Sequence, residues 1–110
     1  MITWDDFKRV DIRVGTIIEV KEFEKAKKPA FKLKIDFGSL GVKKSSAQIT
    51  TLYSESELLN KQVLAVINFP PKQIAHFLSE VLVLGLIKEG NDKVVLLQPE
   101  RKVENGLRVA

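Results

Sequence analysis

Hydrophobic residues occupy alternate positions along much of this chain. From Val10 onward Ile12, Val14, Thr16, Ile18 and Val20 share one parity, while Asp11, Arg13, Glu19 and Lys21 lie on the other side of the alternation. That period of two predicts a long half-buried strand with the first set facing the core. Gly15 lies inside it, where a glycine marks a bend or bulge that lets a sheet curl. The clearest strand is "FKLKIDF", in which Phe31, Leu33, Ile35 and Phe37 alternate with Lys32, Lys34 and Asp36. The turn "GSLG" at 38–41 returns the chain antiparallel into "VKKSSAQI". Ser45, Ser46 and Gln48 make that third strand hydrogen-bonding rather than apolar, so one of its faces is expected to be kept for a ligand or for backbone.

Two short helices punctuate the strands. Thr3 stands three residues before Asp6, with Trp4 and Phe7 beside them, which predicts a capped turn that pins the start of the chain onto the core. Ser54 with Glu57, followed by Leu58 and Leu59, is a second capping box. Strand-like runs follow at "QVLAVINF", "VLVLGLI" and "KVVLLQP", the last two joined by a turn over residues 89–92. Three strands, a helix and further strands predict an all-β, five-stranded Greek-key barrel of the oligonucleotide/oligosaccharide-binding (OB) type. A plain β-sandwich is the alternative. At 110 residues the chain reads as one domain over 1–110, small enough that about two thirds of its surface is buried on folding.

Between the later runs lies "NFPPKQIAHFLSE", residues 68–80. Proline fixes φ and lacks an N–H, so Pro70-Pro71 must end the strand that finishes at Phe69 and stiffen the exit. A rigid elbow presents Phe69, Lys72, Gln73, Ile74, Phe77 and Leu78 near the barrel mouth, with little ordering entropy lost when something binds. Alternatively Ile74, Phe77 and Leu78 plug the end of the barrel.

Charge adds a partner question. The net charge is +4, yet residues 25–44 hold seven lysines (25, 27, 28, 32, 34, 43 and 44) against the single acid Asp36. A patch of one sign fits nucleic acid or an acidic partner, and equally a solvated guard on strand edges. Phe23, Tyr53, Phe69 and Phe77 are the rings on which bases could stack.

Chemistry is thinly represented. There is one histidine, His76, and no cysteine, so thiol catalysis, disulfides and histidine metal clusters are out of reach. "IAHFLSE" lacks the glycines of a nucleophile elbow, the glycines form no phosphate cradle, and the acid pairs Glu22/Glu24 and Glu55/Glu57 read as solvation. A binding module without cofactor or metal is expected rather than an enzyme. No apolar run approaches the roughly 20 residues of a membrane span, and "MITWDDFKRV" lacks a signal-peptide pattern, so a cytoplasmic location is expected. The tail "QPERKVENGLRVA" has too few apolar residues to stand alone, but Val103, Leu107 and Val109 recur in it. It would gain order by packing on a second copy in a two-fold contact, or by folding back on its own barrel.

"DFKRVDIRVGTIIEV", "FKLKIDFG", the run from "KKSSAQITTLY" through the proline elbow, and "PERKVENGLRV" together resemble the CsaA family, small dimeric export-related chaperones of bacteria within the tRNA-binding-domain superfamily. The likeness runs nearly end to end. It implies an OB-type barrel, a homodimer joined through both chain ends (about 1–9 and 98–110), and apolar, positively rimmed pockets for extended segments of unfolded preproteins. The translocation ATPase is a further implied partner. Carried onto this sequence, the peptide-binding candidates are Asn68, Phe69, Lys72, Ile74, Phe77 and Ser79 on the elbow, with Lys32, Lys34, Ser46 and Gln48 on neighbouring strands. Trp4, Phe7, Val103, Leu107 and Val109 are the dimer candidates. Members that bind tRNA carry Ser-x-Gly-Met after the elbow, where this chain reads Ser79-Glu80-Val81-Leu82. A β-branched side chain and a negative charge would meet a phosphate backbone there, which leaves weak tRNA binding as the alternative function.

Overall fold

A computed structural model describes residues 1–88, 90 and 93–110. Among them the elements run α1 (Trp4–Lys8), β1 (Ile12–Glu22), β2 (Phe31–Asp36), β3 (Val42–Ala47), α2 (Glu55–Leu58), β4 (Gln62–Val66), β5 (Lys72–Ile74), β6 (Phe77–Ser79), β7 (Leu82–Val83), β8 (Gly85–Lys88) and β9 (Lys93–Leu96). Five of these strands lie side by side in the order β3-β2-β1-β4-β7, antiparallel throughout, and curl into a nearly closed all-β barrel.

β1 is long because it serves two neighbours. Its first half pairs with β4, from Ile12 opposite Val66 to Thr16 opposite Gln62, and its second half pairs with β2, from Thr16 opposite Asp36 to Glu22 opposite Phe31. In the second half the register slips. Ile17 faces Ile35 but Glu19 faces Lys34, so Ile18 is the extra residue of a bulge. An inserted residue exchanges the faces of everything beyond it. Ile17, ahead of the bulge and on the side of Gly15, is fully buried and Ile18 is 44% exposed, the reverse of what the alternation predicts. The core side of β1 is Gly15 and Ile17, then Val20 past the bulge. Val14, of the other parity, is buried as well, alongside the C-terminal tail: its N–H donates to the Leu107 carbonyl (3.0 Å) and its own carbonyl accepts from Gly106 (2.7 Å).

β2 keeps its alternation. Phe31, Leu33 and Ile35, with Phe37 just beyond, are buried together with Leu58, Val63, Ala65, Val81 and Leu96, each large side chain contributing about 1.5–3 kcal/mol of transfer free energy. Leu58 reaches this core because α2 starts at a complete capping box, Ser54 Oγ accepting from Glu57 N–H (3.3 Å) and Glu57 Oε1 from Ser54 N–H (2.9 Å). α1 has the same box between Thr3 and Asp6, yet none of its residues is buried. The start of the chain is instead tied down by polar contacts: Asn68 Nδ2 donates to the Arg9 carbonyl (2.7 Å) and Arg108 to that of Lys8 (2.7 Å).

The barrel closes between β3 and the stretch from the end of β6 to Val81. Glu80 N–H donates to the Lys44 carbonyl (2.8 Å), Ser46 N–H donates to Ser79 Oγ (3.0 Å), and Ser45 Oγ donates to the Val81 carbonyl (3.0 Å). That closure rules out a sandwich. "VLVLGLI" is split between two sheets, β7 staying in the barrel while β8 pairs with β9 in a hairpin. The turn expected over 89–92 falls, Gly90 apart, outside the described residues.

Candidate ligand cleft at the proline elbow

Past β4 the chain is anchored before it turns. Ile67 N–H donates to the Asp11 carbonyl (2.9 Å), and the Asn68 side chain accepts from Asp11 N–H (3.0 Å) while donating to Arg9. Phe69, Pro70 and Pro71 then run exposed into β5, which pairs with β6 as a small hairpin, Lys72 opposite Ser79 and Ile74 opposite Phe77. The stretch after the prolines is thus a strand pair, with Ala75 in the left-handed region (φ 51°) at its tip.

Between this hairpin, the end of β3 and β7 opens a cleft of about 630 Å³. Buried Ala47, Ile49 and Val81, with half-buried Val83 and Val94, form its apolar lining. Ser46, Gln48, Ser79 and Glu80 give it a polar wall; Phe69, Pro70, Lys72, Ile74 and Leu82 line it as well. Phe69 is 53% exposed and Leu82 50%. Lys72 makes no ion pair among the described residues. Ser46, Gln48, Phe69, Lys72, Ile74 and Ser79 therefore share one space.

The remaining elbow candidates do not join them. Asn68 is spent on the N-terminal segment, and Lys34 Nζ lies 3.5 Å from Glu19. Phe77 packs edge-on against Phe23 (centroids 5.4 Å apart), with Lys44 over the Phe77 ring and Lys32 over that of Phe23. This second cluster ties the hairpin to the barrel, and its Phe23, Lys32 and Phe77 line, with exposed His76, a separate cavity of about 420 Å³. Phe23 is buried, and Tyr53 Oη accepts from Leu96 N–H (3.1 Å), so neither is a free stacking platform. Leu82, Val83 and Val94 were hidden in apolar runs whose sequence says "strand" without saying which side faces a cavity. Glu80 carries a different role from the one its charge suggested: its carboxylate accepts from Lys44 N–H (3.0 Å), and neighbouring Val81 points into the core.

The chain ends meet elsewhere. The tail runs beside β1, Arg108 bridging Arg13 and Val109 N–H donating to the Ile12 carbonyl (2.9 Å). Trp4, Phe7 and Val109 line a largely apolar hollow of about 570 Å³ with Val10, and Trp4 remains 83% exposed and Leu107 48%. Val103 lies apart, its amide and carbonyl held by the Gln62 side chain. No three metal-ligating side chains converge among the described residues, and no described helix is long and apolar enough to cross a membrane.

The family model described as "Putative tRNA binding domain" matches residues 12–108. The crystal structure of the CsaA chaperone protein from Picrophilus torridus is 57% identical, with a TM-score of 0.92 and full coverage of both chains. The chain belongs to the CsaA branch of the tRNA-binding-domain family. The chaperone CsaA of Bacillus anthracis is 49% identical at a TM-score of 0.94, over 100% of this chain and 99% of that one. A methionine–tRNA ligase of Leptospira biflexa is 38% identical over 106 residues, 96% of this CsaA-family chain, which spans only 15% of that ligase's length.

Proposed function

We propose that this CsaA-family protein is a chaperone that holds extended segments of unfolded preproteins in the elbow cleft, works as a homodimer in the cytoplasm, and hands clients to the export ATPase. The cleft carries this reading: a preformed space of about 630 Å³ combines an apolar lining with a short row of polar groups beside a lip stiffened by two prolines, on a chain coextensive with proteins named chaperones. Such a pocket binds apolar side chains with little reorganisation. The apolar hollow at the joined termini, with exposed Trp4 on its wall, supports a two-fold contact.

tRNA binding is the second reading, favoured by the exposed Lys25, Lys27 and Lys28 and by the family. One experiment separates them: purified tRNA is competed against an unfolded preprotein at two salt concentrations. Peptide holding predicts preprotein binding that tRNA does not displace and that salt weakens little, whereas counterion release makes a phosphate-bound complex fall steeply with salt. Light scattering should give twice the 12.4 kDa chain mass, and Trp4→Glu should return it to one chain.

A further inference from the structure

We propose that the cleft takes its occupant as an added β-strand on the open edge of β3, so that the main chain of the client, and not only its side chains, is what is read. This rests on the peptide-holding reading above and deepens it.

In an antiparallel ladder the N–H and C=O of one residue turn to the same edge, and alternate residues turn to opposite edges. Both backbone groups of Lys44 face the closing seam, and so does the Ser46 amide. Gln48 continues this parity. By then the closing segment has left β3, and among the described residues neither the backbone nor the side-chain amide of Gln48 makes a hydrogen bond. Gln48 is exposed and lines the cleft. Only one oxygen of the Glu80 carboxylate is used, by Lys44, so the other adds an open acceptor to the same wall.

A sheet edge that ends in unpaired donors and acceptors is a template for another strand, and proteins normally blunt it with lysine, proline or a cover. Here it opens into a cavity whose opposite side is apolar. A strand laid about 4.8 Å from β3 would pair with both backbone groups of Gln48, reach the Ser46 carbonyl but not its amide, which Ser79 already holds, and set every second side chain over Ile49, Val83 and Val94. Main-chain pairing supplies affinity with little demand on sequence, and the alternating pockets supply selectivity. A nucleic acid strand offers no such alternation of N–H and C=O.

The probe is a synthetic eight-residue peptide of alternating valine and lysine, blocked at both ends, in three forms: unmodified, and N-methylated at either set of alternate amides. Strand addition predicts that one methylated form binds about tenfold or more weakly and the other within about twofold. Binding of the unmodified peptide should slow hydrogen exchange at the Gln48 amide. Gln48→Pro, which deletes that N–H, should weaken binding like the sensitive methylated form. If Gln48→Pro fails to fold, the methylated peptides and the exchange measurement still decide. Equal binding of all three peptides, equal loss in both methylated forms, or unchanged exchange at Gln48 overturns strand addition while leaving peptide holding intact. No binding of the unmodified peptide removes both.

Discussion

Glu80 and Lys44 close the barrel through a reciprocal pair: Glu80 N–H donates to the Lys44 carbonyl at 2.8 Å, and the Glu80 carboxylate accepts from Lys44 N–H at 3.0 Å. A side chain thus completes a ladder that the strands themselves do not. Glu80→Ala would leave the half-buried Lys44 amide without its partner, at a cost of about 1–3 kcal/mol. Glu80→Gln keeps an oxygen in place and should lose less than half of that. Urea unfolding checks both, with a shifted midpoint at unchanged slope. An alanine variant as stable as wild type would show that the seam holds without the carboxylate.

Phe69 and Phe77, eight residues apart on the same elbow, should behave as opposites. Phe69 is 53% exposed on the cleft, so Phe69→Ala should shift stability by no more than about 0.5 kcal/mol and weaken preprotein binding by about tenfold. Phe77 packs on Phe23 under the Lys44 ammonium. Its truncation should cost about 1–3 kcal/mol of stability with the smaller effect on binding. Thermal unfolding beside a binding titration separates the two; matching profiles for both variants would refute the division.

The division was illegible in the sequence, where both rings flank the prolines and both read as lip residues. Local signals carried well. The alternation of β2 and both capping boxes depend on neighbours within a few residues and are present as read, whereas the strand expected to run to Phe69 and stop at Pro70-Pro71 already ends at Val66. Ile17 and Ile18 show where such reading stops. The alternation puts Ile18 on the core side, but Ile17 takes that side and Ile18 is the extra residue of a bulge set by pairing with β2. The cleft was half legible for the same reason: Ser46 and Gln48 stood out as polar residues in a strand, but Val83 and Val94 become its lining only through β4 and the β8–β9 hairpin.

Gly15 tests how tightly the barrel is wound at β1. A Cβ placed there would stand 2.5 Å from Ile35 Cγ2 and 2.7 Å from the Phe37 ring, and both neighbours are fully buried with nowhere to retreat. Gly15→Ala should therefore destabilise by about 1–3 kcal/mol through overpacking, although alanine is otherwise the easier residue to order. A thermal midpoint at or above that of wild type would mean that the two side chains have room to move.

Acid should act first on the two helix caps. Asp6 is held below its ordinary 3.8 chiefly by the Thr3 backbone N–H, then by the Thr3 hydroxyl and Arg9; Glu57 is held below 4.5 chiefly by the Ser54 backbone N–H, then by the Ser54 hydroxyl and the Lys61 charge. A carboxyl whose folded value is depressed binds fewer protons in the native state than in the unfolded one. Its contribution is complete above the ordinary value and is lost as pH falls through the lower, folded one. Both groups are exposed, so the effect is modest and read best as a difference. The stability gap between wild type and the Asp6→Asn/Glu57→Gln variant, taken from urea midpoints, should be constant from pH 7 down to the ordinary values of 3.8 and 4.5 and narrow below them. A gap that stays level through that range would mean that the caps work through geometry alone, with no share for the charges.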